Sequence, residues 1–290
     1  MTREQIRRIL NTLNLTPSKK LGQSFLINNH YDKAIVESAK IKSEDVIIEI
    51  GSGLGNLTAH LLDAGKMLIA VEIDRRLCEY LEKKFGDRDN FQLICKDILE
   101  LDIFDLKKRF LDNEKKFRII GNIPYSASSP IIRHLICYKE VCRDFSLLLQ
   151  KEVFERLSGK PGSKDYGYFT ILVGLNNSVT KLLEIKGVNF YPKPIVDSTL
   201  VKFEPVENLN FKNEELLKRI LSITFSQRRK MLKNTLSKAK IADLKIDDII
   251  EILKNHGLST NVRPEELSIE DFIHLSDIIS KRISSQQNRN

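Results

Sequence analysis

From residue 45 onward, short apolar runs alternate with stretches of helical spacing. Residues 45–50 (DVIIEI) are apolar and end at Gly51. Asn56–Ala64 has helical spacing, and residues 67–71 form a second apolar run closed by Glu72. Residues 74–85 read as an amphipathic helix with Leu77, Tyr80 and Leu81 on one side. Further runs lie at Phe91–Cys95, which precedes Asp97, and at 117–120 and 145–149. Near-continuous apolar strands separated by helices predict a parallel α/β sheet covered on both faces. Runs at 179–185 and 199–204 have less helix between them and more polar alternation, which predicts an antiparallel, hairpin-like edge. Pro205 and residues 208–210 then punctuate the chain. Beyond them the pattern is helical at 213–226, 229–239, Ile246–Asn255 and 268–279, each opening near a polar or acidic cap candidate. The expectation is therefore an α/β domain over 1–205 and a small all-helical domain over 206–290, with a frayed polar tail from 284.

Composition narrows the class. The 290 residues are 41% hydrophobic and 30% charged, which fits a globular protein. No apolar run approaches the ~18 residues of a membrane span, and the charged N-terminus has no signal-peptide core. Cys78, Cys95, Cys137 and Cys142 show no C-x-x-C spacing and read as reduced thiols of a cytoplasmic protein, without disulfide or zinc. The net charge of +8 favours a polyanionic partner.

The candidate chemistry lies at strand ends. Residues 121–125 read Gly-Asn-Ile-Pro-Tyr, directly after the fourth apolar run. Pro124 pushes Ile123 toward extended backbone, which frees the Ile123 carbonyl as an acceptor. The Asn122 side-chain oxygen is a second acceptor, and the Tyr125 ring offers a stacking face. The segment suits a planar base with an exocyclic amine; its bland alternative is a proline turn ending a strand. Upstream, residues 49–55 read Glu-Ile-Gly-Ser-Gly-Leu-Gly, so Gly51 and Gly53 allow a tight turn close to a ligand. The spacing is G-x-G-x-G, unlike the dinucleotide G-x-G-x-x-G. Glu72 is placed to accept ribose hydroxyls, and Asp97 to meet an adenine edge. Gly51, Glu72, Asp97 and Asn122 close four successive strands, the edge at which open α/β sheets bind ligands. No G-x-x-x-x-G-K-[ST] is present. Acidic residues without a phosphate-binding lysine fit S-adenosylmethionine, which is cationic at sulfur.

These segments resemble the KsgA-like ribosomal RNA adenine dimethyltransferases, from about residue 17 to past residue 230. The resemblance rests on KLGQSFL at 20–26, EIGSGLGNLT at 49–58, GNIPY at 121–125, LLQKEVFERL at 148–157, NFYPKPIVDS at 189–198 and FSQRRKMLKN at 225–234. It implies a Rossmann-like class I methyltransferase sheet with a helical C-terminal domain that binds rRNA. The cofactor pocket would be lined by Ser24, Leu26, Gly51, Gly53, Glu72, Asp97 and Asn122. Catalysis would rest on Asn122, Ile123, Pro124 and Tyr125, with Phe190 packing the target base opposite Tyr125. Phe190 also reads as a core residue before a proline turn. Ser24 departs from the family's usual Asn, and its hydroxyl reaches less far. The implied activity is dimethylation of N6 on two adjacent adenosines in the 3′-terminal hairpin loop of 16S rRNA, during small-subunit biogenesis. The implied partner is the small ribosomal subunit, with no metal, no membrane and a monomeric enzyme.

Basic segments fit an RNA partner. Residues 216–242 hold eight Lys or Arg and no Asp or Glu, including Arg228, Arg229 and Lys230. Arg3, Arg7, Arg8, Lys19 and Lys20 form a second cluster before the catalytic segments. Both suit phosphate contact, against the ordinary reading as solvated faces. The competing readings are a large-subunit enzyme of the erythromycin-resistance type, a non-catalytic nucleic-acid-binding relative and a nicotinamide-dependent dehydrogenase. The QRRK stretch and residues 151–157 favour the small-subunit family. The intact Glu72, Asp97 and NIPY residues count against lost catalysis, and the glycine spacing counts against the dehydrogenase.

Overall fold

The computed structural model describes residues 1–17, 23–27, 29–112, 115–206, 211–238, 241 and 244–287. Helix α1 (Arg3–Thr12), strand β1 (Phe25–Leu26) and helix α2 (Asn29–Ala39) precede the main sheet. There follow β2 (Val46–Ile50), α3 (Asn56–Ala64), β3 (Met67–Glu72), α4 (Arg75–Phe85), β4 (Phe91–Cys95), α5 (Ile103–Phe110), β5 (Phe117–Gly121), α6 (Ser128–Leu135) and β6 (Cys142–Gln150). Every residue of β2 and β5 is buried, as the continuous apolar runs require of strands covered on both faces. Helices start where short side chains take up free N–H groups: Asp74 caps α4 through Arg76 N, and Asp102 caps α5 through Phe104 N.

The rest of the chain contributes α7 (Lys151–Leu157), α8 (Tyr168–Gly174), β7 (Asn177–Ile185), β8 (Phe190–Tyr191) and β9 (Ser198–Pro205). The seven-stranded sheet has the order β4-β3-β2-β5-β6-β9-β7. The pairs from β4 to β6 are parallel, whereas β9 is antiparallel to both β6 and β7. The expected antiparallel hairpin is thus present, with β9 as its reversed inner strand and β7 closing the edge. From β2 the chain winds outward to β3 and β4, then returns to β5 on the other flank. The crevice where order reverses lies between β2 and β5, with Ile50 beside Gly121. A separate two-stranded sheet pairs β1 with β8, Leu26 opposite Phe190.

The chain divides into two compact units, Met1–Phe154 with Asn176–Pro205, and Glu155–Leu175 with Val206–Asn290. A cut falls at residue 205, but 155–175 group with the helical unit rather than the sheet, which departs from a single boundary. That unit contains α9 (Glu214–Phe225), α10 (Leu232–Lys238), α11 (Ile246–Asn255) and α12 (Ile269–Gln287). Tyr166 and Ile171 enter its core beside Leu217, Ile220, Leu232 and Phe272. The Tyr166 hydroxyl also donates to the Leu267 carbonyl at 2.7 Å. Apolar residues of 155–175 therefore complete a core that the later helices alone would leave open. Helix α12 extends to Gln287, into the polar stretch from 284 that was expected to fray.

A second departure concerns the cysteines. Cys78 on α4 and Cys95 at the end of β4 are joined as a disulfide, with Cα atoms 5.9 Å apart, where reduced thiols were expected. Their pairing comes from packing α4 against β4, which sequence spacing does not reveal. Cys137 and Cys142 are free.

Candidate active site

A cavity of about 200 Å³ opens at the C-terminal ends of the parallel strands. Ser24, Leu26, Gly51, Gly53, Glu72, Asp97, Asn122, Ile123, Pro124 and Tyr125 all line it. Segments far apart in sequence thus converge on one site.

The turn after β2 is built by its glycines. Gly51 has φ +74°, and a Cβ there would lie 3.3 Å from the Asn122 carbonyl oxygen. Only glycine allows both the left-handed backbone and that approach. The Gly53 N–H donates to Glu72 Oε2 at 2.8 Å, so the glycine turn and the end of β3 are tied together. Glu72 Oε1 accepts from Ile73 N at 2.9 Å and from Asp74 N at 3.0 Å. A carboxylate has about four in-plane acceptor positions. Three are occupied, which leaves one, on Oε2, for a ligand hydroxyl. Burial pushes the Glu72 carboxyl above the usual range, while the three backbone N–H groups pull it down.

Asp97 caps the short 3-10 turn after β4 by accepting from Leu99 N at 3.0 Å. At the end of β5, Asn122 Nδ2 donates to the Ser24 carbonyl oxygen at 2.9 Å. That bond commits the amide NH2 to the scaffold and leaves Oδ1 as an acceptor. The Ser24 hydroxyl donates to the Pro192 carbonyl at 2.9 Å, so Ser24 braces the site with both its backbone and its side chain. The Tyr125 hydroxyl pairs with Ser198 Oγ at 2.7 Å, which fixes the ring.

Phe190 is placed differently. It is fully buried in the cluster containing Leu26, Ile35 and Leu200, and it does not line the cavity. Its pairing with Leu26 makes it a core residue supporting the N-terminal strand, the plainer of its two sequence readings. The basic residues also separate. Lys19 and Lys20 lie outside the described residues. Arg228, Arg229 and Lys230 fall in the turn between α9 and α10. Arg228 is engaged within its own unit, donating to the Lys164 carbonyl at 3.0 Å and facing Glu265 at 3.4 Å. Arg229 and Lys230 are exposed.

The cavity holds two carboxyls that the sequence reading gave no role. Glu49, on β2, is buried, accepts from Thr58 Oγ1 at 2.6 Å and is pushed up to about 7 by burial. Asp32, on α2, is fully buried and pushed up to about 6 by burial. A signal for Asp32 was present: it shares the buried face of α2 with Ile35 and Ala39, where an apolar residue belongs.

A mostly parallel sheet with a glycine turn after β2, an acidic residue closing β3 and the Gly-Asn-Ile-Pro-Tyr segment at the end of β5 has the fold of a class I methyltransferase. The family model described as "Ribosomal RNA adenine dimethylase" matches residues 6–281, and the chain belongs to that family. Relatives named "Ribosomal RNA small subunit methyltransferase A" include one from Syntrophus aciditrophicus, 39% identical, covering 95% of this chain and 98% of the relative. Another, from Desulfotalea psychrophila, is 35% identical over 93% and 94%. Among solved structures, a dimethyladenosine transferase from Plasmodium falciparum superimposes with TM-score 0.76 and 28% identity, covering 89% of this chain and 98% of that one. The 23S rRNA methyltransferase ErmE superimposes with TM-score 0.67 and 19% identity over 88% and 99%, a likeness of fold.

Enzymes of this family use S-adenosylmethionine, and the cavity's own chemistry fits it. Its lining contains Asp32, Glu49, Glu72 and Asp97 and, among the described residues, no Lys or Arg. Such a site favours a cationic ligand over a phosphate-bearing one. No described helix is long and apolar enough to cross a membrane.

Proposed function

We propose that this enzyme dimethylates N6 of two adjacent adenosines in the 3′-terminal hairpin loop of small-subunit rRNA, as a cytoplasmic monomer acting during subunit assembly. The observation that carries this reading is Asn122, held by Ser24 in the cavity that Glu72 and Tyr125 also line. The relatives aligned over nearly their whole length are named for the small subunit, whereas ErmE shares the fold at low identity.

Bound S-adenosylmethionine supplies a methyl group on a sulfonium, already a strong electrophile. The chain's task is alignment. Glu72 takes a ribose hydroxyl on its remaining Oε2 acceptor position, and Asp97 lies toward the adenine end. Asn122 Oδ1 and the Ile123 carbonyl each accept one hydrogen of the target amine. They favour a pyramidal nitrogen as positive charge develops, and they aim its lone pair along the sulfur–methyl axis. Positioning of this kind is worth up to ~7–11 kcal/mol of a barrier. Tyr125, with its hydroxyl fixed by Ser198, stacks on the base for roughly 1–3 kcal/mol. The adenosine must leave its stack to enter. Arg229 and Lys230 contact rRNA phosphate, and no metal is assigned.

The test is incubation with radiolabelled S-adenosylmethionine and ribosomal particles lacking the modification, followed by mapping of the label. Label in the two small-subunit adenosines supports the proposal. Label in large-subunit rRNA alone, or none, overturns it.

A further inference from the structure

The cavity lining includes one acidic residue from outside the strand-end motifs, Asp32 on α2. Asp32 is 0% exposed, and neither of its carboxylate oxygens has a hydrogen-bond partner among the described residues. Buried carboxylates are ordinarily paired, because an unpaired one forfeits solvation without compensation. Asp32 nonetheless lines the cavity, and it lies near enough to Glu49 for its charge to help push that carboxyl up. Burial holds its carboxyl partly protonated near neutrality, at about 6.

The layout of the cavity says which part of a ligand meets this carboxyl. Asp97 ends β4 and Glu72 ends β3, so adenine and ribose occupy the β4–β3 side. Asn122 ends β5 and fixes the reacting centre at the β2–β5 crevice. That leaves the rest of the lining for the tail of the cofactor beyond sulfur. Its remaining acidic residues are Glu49, already engaged with Thr58, and Asp32, which is not. Besides the sulfonium, the cofactor's one cationic group is the α-ammonium of its methionine tail.

We propose that Asp32 is a cofactor-binding residue whose carboxylate pairs with the α-ammonium of the methionine tail of S-adenosylmethionine. This rests on the cofactor reading given above and extends it to a residue on α2. The pairing supplies the hydrogen-bond donors Asp32 otherwise lacks, and the low-polarity surroundings strengthen the contact. It also makes the enzyme recognise the amino-acid tail and not the nucleoside alone.

The test compares wild type, Asp32→Asn and Asp32→Leu by calorimetric titration with two ligands. One is S-adenosylhomocysteine. The other is its analogue with hydrogen in place of the α-amino group. Asp32→Asn is expected to lose roughly ten- to hundredfold in affinity for S-adenosylhomocysteine, the range for a charged hydrogen bond. Its affinity for the deaminated analogue should stay within about twofold of wild type. Asp32→Leu should repeat the pattern, and it guards against a peculiarity of the buried amide. Equal losses for both ligands would mean that Asp32 only shapes the cavity, and unchanged affinity for both would mean that it touches neither; either result overturns the proposal. Failure of wild type to bind either ligand would instead bring down the cofactor reading itself.

Discussion

Asn122 donates its side-chain NH2 to the Ser24 backbone carbonyl at 2.9 Å, across 98 residues of sequence. The bond decides which face of the amide meets a ligand, because an NH2 bound to the scaffold leaves the oxygen to accept from an amine. It also explains how serine serves where the family usually has asparagine. The contact to Asn122 uses the backbone of residue 24, and the serine hydroxyl is spent on the Pro192 carbonyl.

Glu72→Ala should weaken cofactor binding by about 1.5–3 kcal/mol, the range for a lost hydrogen bond to a charged group. The same change frees the Gly53, Ile73 and Asp74 N–H groups, so the glycine turn should loosen too. Calorimetric titration with S-adenosylmethionine, beside a thermal melt showing the fold intact, measures the effect. Unchanged affinity would remove Glu72 from the cofactor site.

Arg118, at the opposite end of the sheet, is 3% exposed. It donates to Asp144 at 2.9 and 3.0 Å and to Asp45 at 3.0 Å. Arg118→Met would leave Asp144 and Asp45 only their longer ion pairs, to Lys202 at 3.6 Å and Arg143 at 3.7 Å, at a cost of up to about 3–5 kcal/mol. Urea denaturation should show that loss as a lower midpoint. A midpoint within experimental error of wild type would mean that the network contributes nothing to stability.

Asp32 and Glu49 set a pH dependence of the cofactor-free protein. Their folded-state values of about 6 and about 7 lie above the ordinary 3.8 and 4.5. The unfolded chain therefore ionises first, and stability present below pH ~4 is lost as pH rises through 6 to 7. Asp32→Leu should remove its share of that loss and stabilise the protein at pH 8 by on the order of 2–3 kcal/mol. Thermal melts of both proteins from pH 4 to 8 check this; parallel curves would contradict it.

Arg229→Ala with Lys230→Ala should weaken binding to small-subunit particles and lower the log–log salt slope by about 0.7–0.9 per lost phosphate contact. Arg228→Ala should lower the melting temperature of the protein, since Arg228 braces the Lys164 carbonyl and Glu265. Filter binding at several salt concentrations separates the two effects. Parallel slopes for the double variant and wild type would make Arg229 and Lys230 a solvated turn.

The sheet was legible because strands buried on both faces must be apolar throughout; β4 and α3 match their sequence bounds residue for residue. The strand-end residues were legible because position after an apolar run fixes which edge they face. Other features depend on partners that only folding supplies. Phe190 reads as a stacking aromatic until its pairing with Leu26 puts it in the core. Arg228 reads as a free cation until Glu265 and the Lys164 carbonyl come beside it. Cys78 and Cys95 meet only when α4 packs on β4. Residues 155–175 read as part of the sheet domain because they precede the break at Pro205, yet Tyr166 and Ile171 pack with the later helices. Asp32 carries a weaker signal, because its place beside Ile35 and Ala39 stands out only once residues 29–39 are a helix.

The central claim is that Asn122 orients the target amine for transfer. Single-turnover methyl transfer by Asn122→Ala, with cofactor and unmodified small-subunit particles at saturation, tests it most directly. The account predicts a rate at least roughly 10²-fold below wild type, comparable to removal of one preorganised hydrogen-bonding group from an active site, with particle binding unchanged. A rate within a few-fold of wild type would contradict the account.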